Sequence, residues 1–137
     1  MNTATNLHDS LFGNIPYVAS EIFKTNKTKL EQDPYTKYSD IYSLGVLLWQ
    51  ISSGKTPFEG QDKNMLCVTI MSGIKEERMP DTPDDYYNLY NQCWNDEPET
   101  RPAIKYIYDT LKELLKENIE INNDNYNLMI NDNNEGQ

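Results

Sequence analysis

The stretch from Tyr38 to Ser53 constrains the fold of this chain more than any other part of its sequence. Its apolar residues leave almost no polar side: Ile41, Tyr42, Leu44, Val46, Leu47, Leu48, Trp49 and Ile51. A helix that is apolar all round is a buried helix. Ser39 or Asp40 stands where an N-cap is expected, and Gly54 and then Pro57 follow its end. The sequence therefore predicts a buried central helix.

Three more helices are predicted after the central one. The first runs from Asn64 to Ser72 and closes at Gly73, and the second runs from Asp84 to Trp94 behind a proline. The third runs from Ala103 to about Glu117, with apolar residues at helical spacing: Ile104, Ile107, Tyr108, Leu111, Leu114 and Leu115. No stretch shows the sustained alternation of a strand, so the predicted fold is mainly α.

The composition changes after residue 117. Residues 118–137 are rich in Asn and carry four acidic and no basic residues, which supplies -4 of the formal net charge of -10. A polar, acidic segment of this kind is typical of disorder. We therefore predict one folded region, residues 1–117, followed by a disordered acidic tail, residues 118–137.

Charge and cysteine usage exclude several classes of function. The chain has no cluster of Lys and Arg, which disfavours binding to nucleic acid or to an anionic membrane. Cys67 and Cys93 match no metal or redox spacing, and we interpret them as free thiols in a reducing compartment. The first residues do not resemble a signal peptide, and the apolar run from Ile41 to Ile51 is too short to span a bilayer. These features predict a location in the cytoplasm or the nucleus.

Three short motifs occur in order along the chain. They are Gly13-Asn-Ile-Pro-Tyr-Val-Ala-Ser-Glu21, Asp40-Ile-Tyr-Ser-Leu-Gly45 and Cys93-Trp-Asn-Asp-Glu-Pro-Glu-Thr-Arg-Pro102. Together they resemble the closing landmarks of the protein kinase family, in its tyrosine and tyrosine-kinase-like branches. The resemblance implies that residues 1–117 are a partial kinase domain. Its fold would be the helical C-terminal-lobe half of the kinase fold, without the N-terminal β lobe.

The first motif resembles the kinase loop that receives the substrate residue following the phosphorylated one. The resemblance assigns this substrate-binding loop to Gly13, Ile15, Pro16 and Tyr17. The apolar Ile15 and Pro16 would line its pocket. The alternative is an ordinary surface loop. Ser20 stands where the family has Pro, and a freer backbone dihedral there predicts a less rigid loop.

The resemblance also assigns structural roles. In the family, the Glu equivalent to Glu21 pairs with the Arg of the last signature, here Arg101, whose planar fork suits a carboxylate. The alternative is that Arg101 is a surface residue at a helix start. Asp40 either caps the central helix or, as in the family, holds the catalytic loop. Other structural residues are Gly45 in the helix motif and two core aromatics, Trp49 and Trp94.

Several motifs that kinase chemistry requires do not occur in this sequence. Phosphoryl transfer uses a Gly-rich loop, a strand Lys, a catalytic Asp in His-Arg-Asp, a downstream Asn and a metal-binding Asp in Asp-Phe-Gly. None of these is present, and His8 is followed directly by Asp9. We therefore predict no catalytic residue, no metal site and no cofactor in this chain, which alone should be inactive.

Two functions remain open on these grounds. In the first, a full-length parent binds ATP and magnesium and phosphorylates Ser/Thr, or Tyr, of protein substrates in signalling. In the second, the chain is a stand-alone, non-catalytic helical module that resembles a pseudokinase. It would contact protein partners through the helix around Met65 to Met71 and through the loop.

Overall fold

The computed structural model describes residues 14–24 and 36–136. These residues form five α-helices and no strand, which confirms the mainly α fold predicted above. The loop residue Gly13 lies outside the described part of the chain. The helices are α1 (Ser20–Lys24), α2 (Lys37–Ser53), α3 (Lys63–Met71), α4 (Asp84–Cys93) and α5 (Ile104–Glu135), with short 3-10 turns at Ile15–Tyr17 and Pro98–Thr100.

The start of α2 is capped by Thr36. The Thr36 hydroxyl accepts from the main-chain N–H of Ser39, and the Ser39 hydroxyl accepts from the N–H of Thr36, which completes a capping box. The predicted cap at Ser39 or Asp40 is therefore wrong. Asp40 is exposed in the first turn, where a negative charge favours the helix dipole. At the other end, Gly54 adopts a φ of 67° and donates its N–H to the oxygen of Gln50.

Helix α2 is buried on most of its circumference, but not on all of it. Its buried side includes Ile41, Tyr42, Gly45, Val46, Leu48 and Trp49, and its main helical neighbour is α4. Leu47 and Ile51, four residues apart, are 44% and 73% exposed. The prediction that every side of α2 is buried is therefore wrong for this face. The apolar residues of a helix do not reveal how many other segments of the described chain pack against it.

The turn at Ile15–Tyr17 and helix α3 share a small core. Ile15, Leu66 and Ile70 are buried together, and three half-buried side chains pack against them: Phe23, Phe58 and Cys67. The 3-10 turn also contacts α2, while α1 contacts α3. The loop that carries the first motif is therefore held by the hydrophobic core of the same unit.

Helix α5 is longer than predicted. Ile104–Gln137 forms a compact unit separate from the unit that ends at Ala103. Within it, the helix runs to Glu135, well past the predicted end near Glu117, where the sequence indicates the start of a disordered tail. Residues 118–135 contain neither Pro nor Gly, so no helix-breaking residue interrupts them. The domain boundary at residue 117 stays a prediction.

Candidate functional site

The first motif forms a tight turn that is tied to α2 by two side-chain hydrogen bonds. Within the turn, the N–H of Tyr17 donates to the oxygen of Asn14 over 2.9 Å. The Tyr17 hydroxyl donates to Oε1 of Gln50 over 2.5 Å, and the Ser43 hydroxyl donates to the main-chain oxygen of Tyr17 over 2.6 Å. Ser43 and Gln50 lie two turns apart on α2. Helix α2 thereby fixes both the side-chain hydroxyl and the main-chain carbonyl of Tyr17.

The residues of the predicted substrate-binding loop do not share one environment. Ile15 is 2% exposed and packs with Leu66 and Ile70, so it is not available to line a pocket for substrate. Pro16 and Tyr17 are half-buried and remain partly accessible. The sequence could not distinguish these cases, because an apolar residue in a loop suits either a pocket wall or a core contact.

Glu21 and Arg101 meet in a bidentate ion pair. Nη1 of Arg101 donates to Oε1 of Glu21 over 2.7 Å, and Nη2 donates to Oε2 over 2.9 Å. The Arg101 side chain is fully buried, whereas the Glu21 side chain is 28% exposed. The structure thus brings together two residues that are 80 positions apart in the sequence, and Arg101 is not a surface residue.

Arg101 also binds main-chain oxygens from two other segments. Its Nε donates to the oxygen of Asn95 over 2.8 Å, and Nη1 donates to the oxygen of Tyr38 over 2.8 Å. One guanidinium therefore joins α1, the first turn of α2 and the segment after α4. A buried guanidinium requires this number of acceptors, since an unsatisfied buried charge is costly. The sequence could not identify Asn95 and Tyr38 as partners of Arg101, because both accept through main-chain oxygens, which every residue has.

The ring of Tyr42 lies beneath the ion pair. The guanidinium carbon of Arg101 is 5.1 Å from the ring centroid, and Nζ of Lys75 is 5.7 Å from it. Both distances fit cation–π contacts. Burial raises the pKa of Tyr42 well above its ordinary value, and the carboxylate of Asp96 adds to the rise. The phenol therefore stays neutral, and the face of its ring contacts the two cations Arg101 and Lys75.

Asp96 links the first motif to the loop after α3. Its Oδ1 accepts from Nζ of Lys75 over 2.8 Å and from the hydroxyl of Ser20 over 3.3 Å. Ser20 is 1% exposed. Ser20, which stands where the family has Pro, therefore makes a hydrogen bond that proline could not make. Asp96 was not singled out from the sequence, although it lies inside the third motif.

The remaining predicted structural residues surround the contact between α2 and α4. A Cβ at Gly45 would lie 2.8 Å from Cβ of Cys93 and 3.0 Å from the main-chain nitrogen of Trp94, so the two segments meet at van der Waals contact. Trp49 donates its indole N–H to the oxygen of Glu77 over 2.9 Å. Trp94 is 4% exposed and stacks edge-on against Tyr90, with ring centroids 4.9 Å apart.

The two thiols and the acidic side chains of the described residues are candidate reactive or metal-binding groups. Burial raises the pKa of the Cys93 thiol to about 12, and burial also raises the pKa of Cys67, so neither thiol is activated as a nucleophile. Residues 14–24 and 36–136 contain no group of His, Cys, Asp or Glu side chains that could hold a metal ion. Within the same ranges, no helix is both long enough and apolar enough to cross a bilayer. What this geometry does is hold a surface turn in a defined position.

Comparison with known proteins finds consistent relatives. Residues 2–111 match the family model described as protein tyrosine and serine/threonine kinase. Over 98 residues, the chain is 34% identical to a protein of Dictyostelium discoideum named as a probable LIM domain-containing serine/threonine-protein kinase, covering 72% of this chain and 14% of that protein. Over 83 residues, it is 40% identical to platelet-derived growth factor receptor alpha of Takifugu rubripes, covering 59% of this chain and 8% of the receptor. The chain therefore spans a seventh or less of the length of these relatives.

Proposed function

Because the chain belongs to the protein tyrosine and serine/threonine kinase family, we propose that it contributes the substrate-positioning, helical half of a protein kinase domain. The complete domain transfers the γ-phosphate of ATP to Ser, Thr or Tyr of protein substrates in a signalling pathway of the cytoplasm or the nucleus. ATP and magnesium are bound by residues of a longer protein, since the motifs that bind them do not occur in this sequence.

The observation that supports this proposal best is the anchoring of the turn around Tyr17. Hydrogen bonds from Tyr17 and Ser43 tie the turn to α2, and the Glu21–Arg101 pair ties the following helix to the segment after α4. Rate enhancement in phosphoryl transfer comes mostly from positioning and electrostatics, so a rigid substrate loop is a functional requirement. Asn14 is exposed, and Pro16 and Tyr17 are half-buried, so these three are the accessible residues of the turn.

The exposed side of α2 is consistent with the same proposal. Leu47 and Ile51 present apolar surface on a helix that is otherwise buried. A helix of this composition is stable when other residues cover its apolar face. In the complete domain, this side of α2 packs against residues of the longer protein that lie outside this sequence.

The first experiment compares the natural polypeptide with the isolated chain. An antibody against Ala103 to Gln137 recovers the natural polypeptide from cells, and the recombinant 137-residue chain serves as the reference. Each is incubated with magnesium, ATP labelled on its γ-phosphate and protein substrates. We expect a natural polypeptide well above 16.0 kDa that transfers phosphate, and a recombinant chain that does not. Transfer by the recombinant chain, or an inactive natural polypeptide of 16.0 kDa, would contradict the proposal.

A second experiment tests the loop in the active, natural polypeptide. Tyr17→Phe removes the hydrogen bond to Gln50 and keeps the ring. We expect the KM for protein substrate to rise several-fold while the KM for ATP stays unchanged, because the loop contacts only the protein substrate. Tyr108→Phe is the matched control, since Tyr108 is exposed on α5. Equal effects on both KM values would indicate general loss of structure instead of a loop defect.

A non-catalytic interaction module is the second candidate function. Helix α3 favours it, because Met65 and Val68 are 60% and 51% exposed and lie three residues apart on one face. If the chain is such a module, Met65→Lys abolishes binding of a protein partner to the recombinant chain in a pull-down, while the control Asn64→Lys does not. A natural polypeptide of 16.0 kDa with such a partner favours the module over the kinase fragment.

A further inference from the structure

Helix α5 carries a heptad pattern. Apolar residues recur every seven positions at Ile107, Leu114, Ile121 and Leu128. With these at d, the a positions are Ile104, Leu111, Asn118 and Asn125. Over a helix of 32 residues, about 48 Å long, this repeat has the spacing of a coiled-coil seam, with Asn at two of these four a positions. We call residues 111, 114, 118, 121, 125 and 128 the α5 seam.

Most of the α5 seam is open to solvent. Ile121 and Leu128 are 56% and 62% exposed, and Leu115 and Met129 at the flanking e positions are 62% and 66% exposed. The acidic residues of this stretch avoid a and d: Asp109, Glu113, Glu117, Glu120 and Asp124. Ile119, Tyr126 and Ile130 are exposed outside the seam as well, but the carboxylates of this stretch leave the a and d line free. An exposed apolar line of this length on a helix indicates a partner helix.

We propose that the α5 seam pairs with the same seam of a second copy of this chain as a parallel, in-register, two-stranded coiled coil. Asn118 and Asn125 favour this partner. An amide inside an apolar seam is costly unless it meets a hydrogen-bonding partner. A parallel second copy in register places each Asn opposite its own equivalent, at both positions together. A single Asn at an a position is known to specify two strands and register.

The charges at the edges of the seam favour the parallel orientation. The g positions hold Glu117 and Asp124, and the e positions five residues further hold Asn122 and Met129. In a parallel pair, each g residue faces the e residue five positions on, so no carboxylate faces another. In an antiparallel pair, g residues face g residues, and Glu117 would meet Asp124 of the other copy. Flanking charges of this kind select orientation.

The ends of the seam limit its strength. Ile107 is already buried within the chain, and Asp132 occupies the next a position after Asn125. The seam therefore covers residues 111–128, which is short for a coiled coil. We expect a reversible dimer whose population rises with protein concentration.

Sedimentation equilibrium of the full chain tests the pairing. We expect a monomer–dimer equilibrium that Ile121→Lys weakens at least tenfold. Ile119→Lys is the matched control, because it replaces an exposed isoleucine by lysine with the same change of +1 in charge, outside the seam, and should leave the equilibrium unchanged. Asn118→Leu should tighten association, so the proposal stays testable even if the lysine variant loses helicity. A chain that is monomeric at all concentrations, or that forms trimers or larger assemblies, would overturn the proposal.

Disulfide cross-linking tests orientation and register. In a Cys67→Ser background, Asn118→Cys should give a cross-linked dimer on mild oxidation, because a positions face each other in a parallel pair. Asn123→Cys, at an f position, should not. Equal cross-linking at both sites would overturn the proposal, and so would loss of association on Leu47→Gln, which would place the contact on α2 instead.

Discussion

Arg101 shows how much of the structure depends on a single side chain. Its guanidinium makes two bonds to Glu21 and one each to the main-chain oxygens of Asn95 and Tyr38, and it lies over the ring of Tyr42. Arg provides this set of donors in one plane, which Lys cannot do. The identity of the pair follows from the motifs, whereas the two main-chain acceptors follow only from the folded backbone.

Replacing Arg101 should be among the most damaging changes at the residue scale. Arg101→Ala leaves Glu21 and two oxygens without this donor, and breaking a buried pair costs about 3–5 kcal/mol. Because the Glu21 side chain is 28% exposed, we expect about 3 kcal/mol. Urea denaturation measures this loss. Arg101→Lys should recover only part of it, while Lys105→Ala, at an exposed pair, should change stability little. Unchanged stability in Arg101→Ala would refute the anchoring role.

Gly45 should tolerate no side chain. In Gly45→Ala, the new Cβ would lie 2.8 Å from Cβ of Cys93 and 3.0 Å from the nitrogen of Trp94, so α2 and α4 must move apart. Overpacking of this kind costs about 1–3 kcal/mol, more than the gain in helix propensity of about 1 kcal/mol. A lower melting temperature is expected. Gly54→Ala serves as a comparison, because it strains a positive φ without a clash; a stabilised Gly45→Ala would show that the helices are not in contact.

At the scale of the element, α2 combines a correct sequence prediction with an incorrect detail. Its extent is predicted within a residue of Lys37–Ser53, because apolar content and Gly54 mark it clearly. The N-cap of α2 is not predicted correctly, because Thr36, Ser39 and Asp40 are all residue types that cap helices. Which of them does so depends on the path of the backbone that precedes the helix. Its exposed face at Leu47 and Ile51 depends on packing alone.

The cap can be tested directly. Thr36→Ala removes the hydroxyl that accepts from the Ser39 N–H, and we expect a loss of about 1 kcal/mol, within the usual range for N-cap removal. Thr36→Ser should keep most of the stability. If Asp40→Ala were the more damaging change in the same denaturation assay, the cap would belong to Asp40.

At the scale of the whole molecule, buried protonated groups link stability to pH. Burial raises the pKa of Cys93 to about 12 from an ordinary value near 9, and it also raises the pKa of Tyr42 and Tyr86. The unfolded chain therefore loses these protons first as pH rises. The stability from Cys93 is complete below about pH 9 and declines toward pH 12, by about 1.4 kcal/mol per pH unit for each such group.

Alkaline denaturation measures this linkage. We expect the free energy of unfolding to fall steadily between pH 9 and 11. Cys93→Ala should make the decline shallower, because one of the titrating groups is gone. A slope that Cys93→Ala leaves unchanged would show that this thiol is solvated in the folded chain.

The sequence by itself determined the mainly α fold, the extents of α2, α3 and α4 and the family, because apolar periodicity and short motifs are local properties of the chain. It also named Glu21 and Arg101 as partners, through motifs that the family places in contact. Only the tertiary structure decided that Ile15 belongs to the core and that Leu47 and Ile51 stay exposed. It also decided that Asp96 accepts hydrogen bonds from Ser20 and Lys75. Burial and pairing between distant segments depend on how helices pack, and no local pattern encodes them.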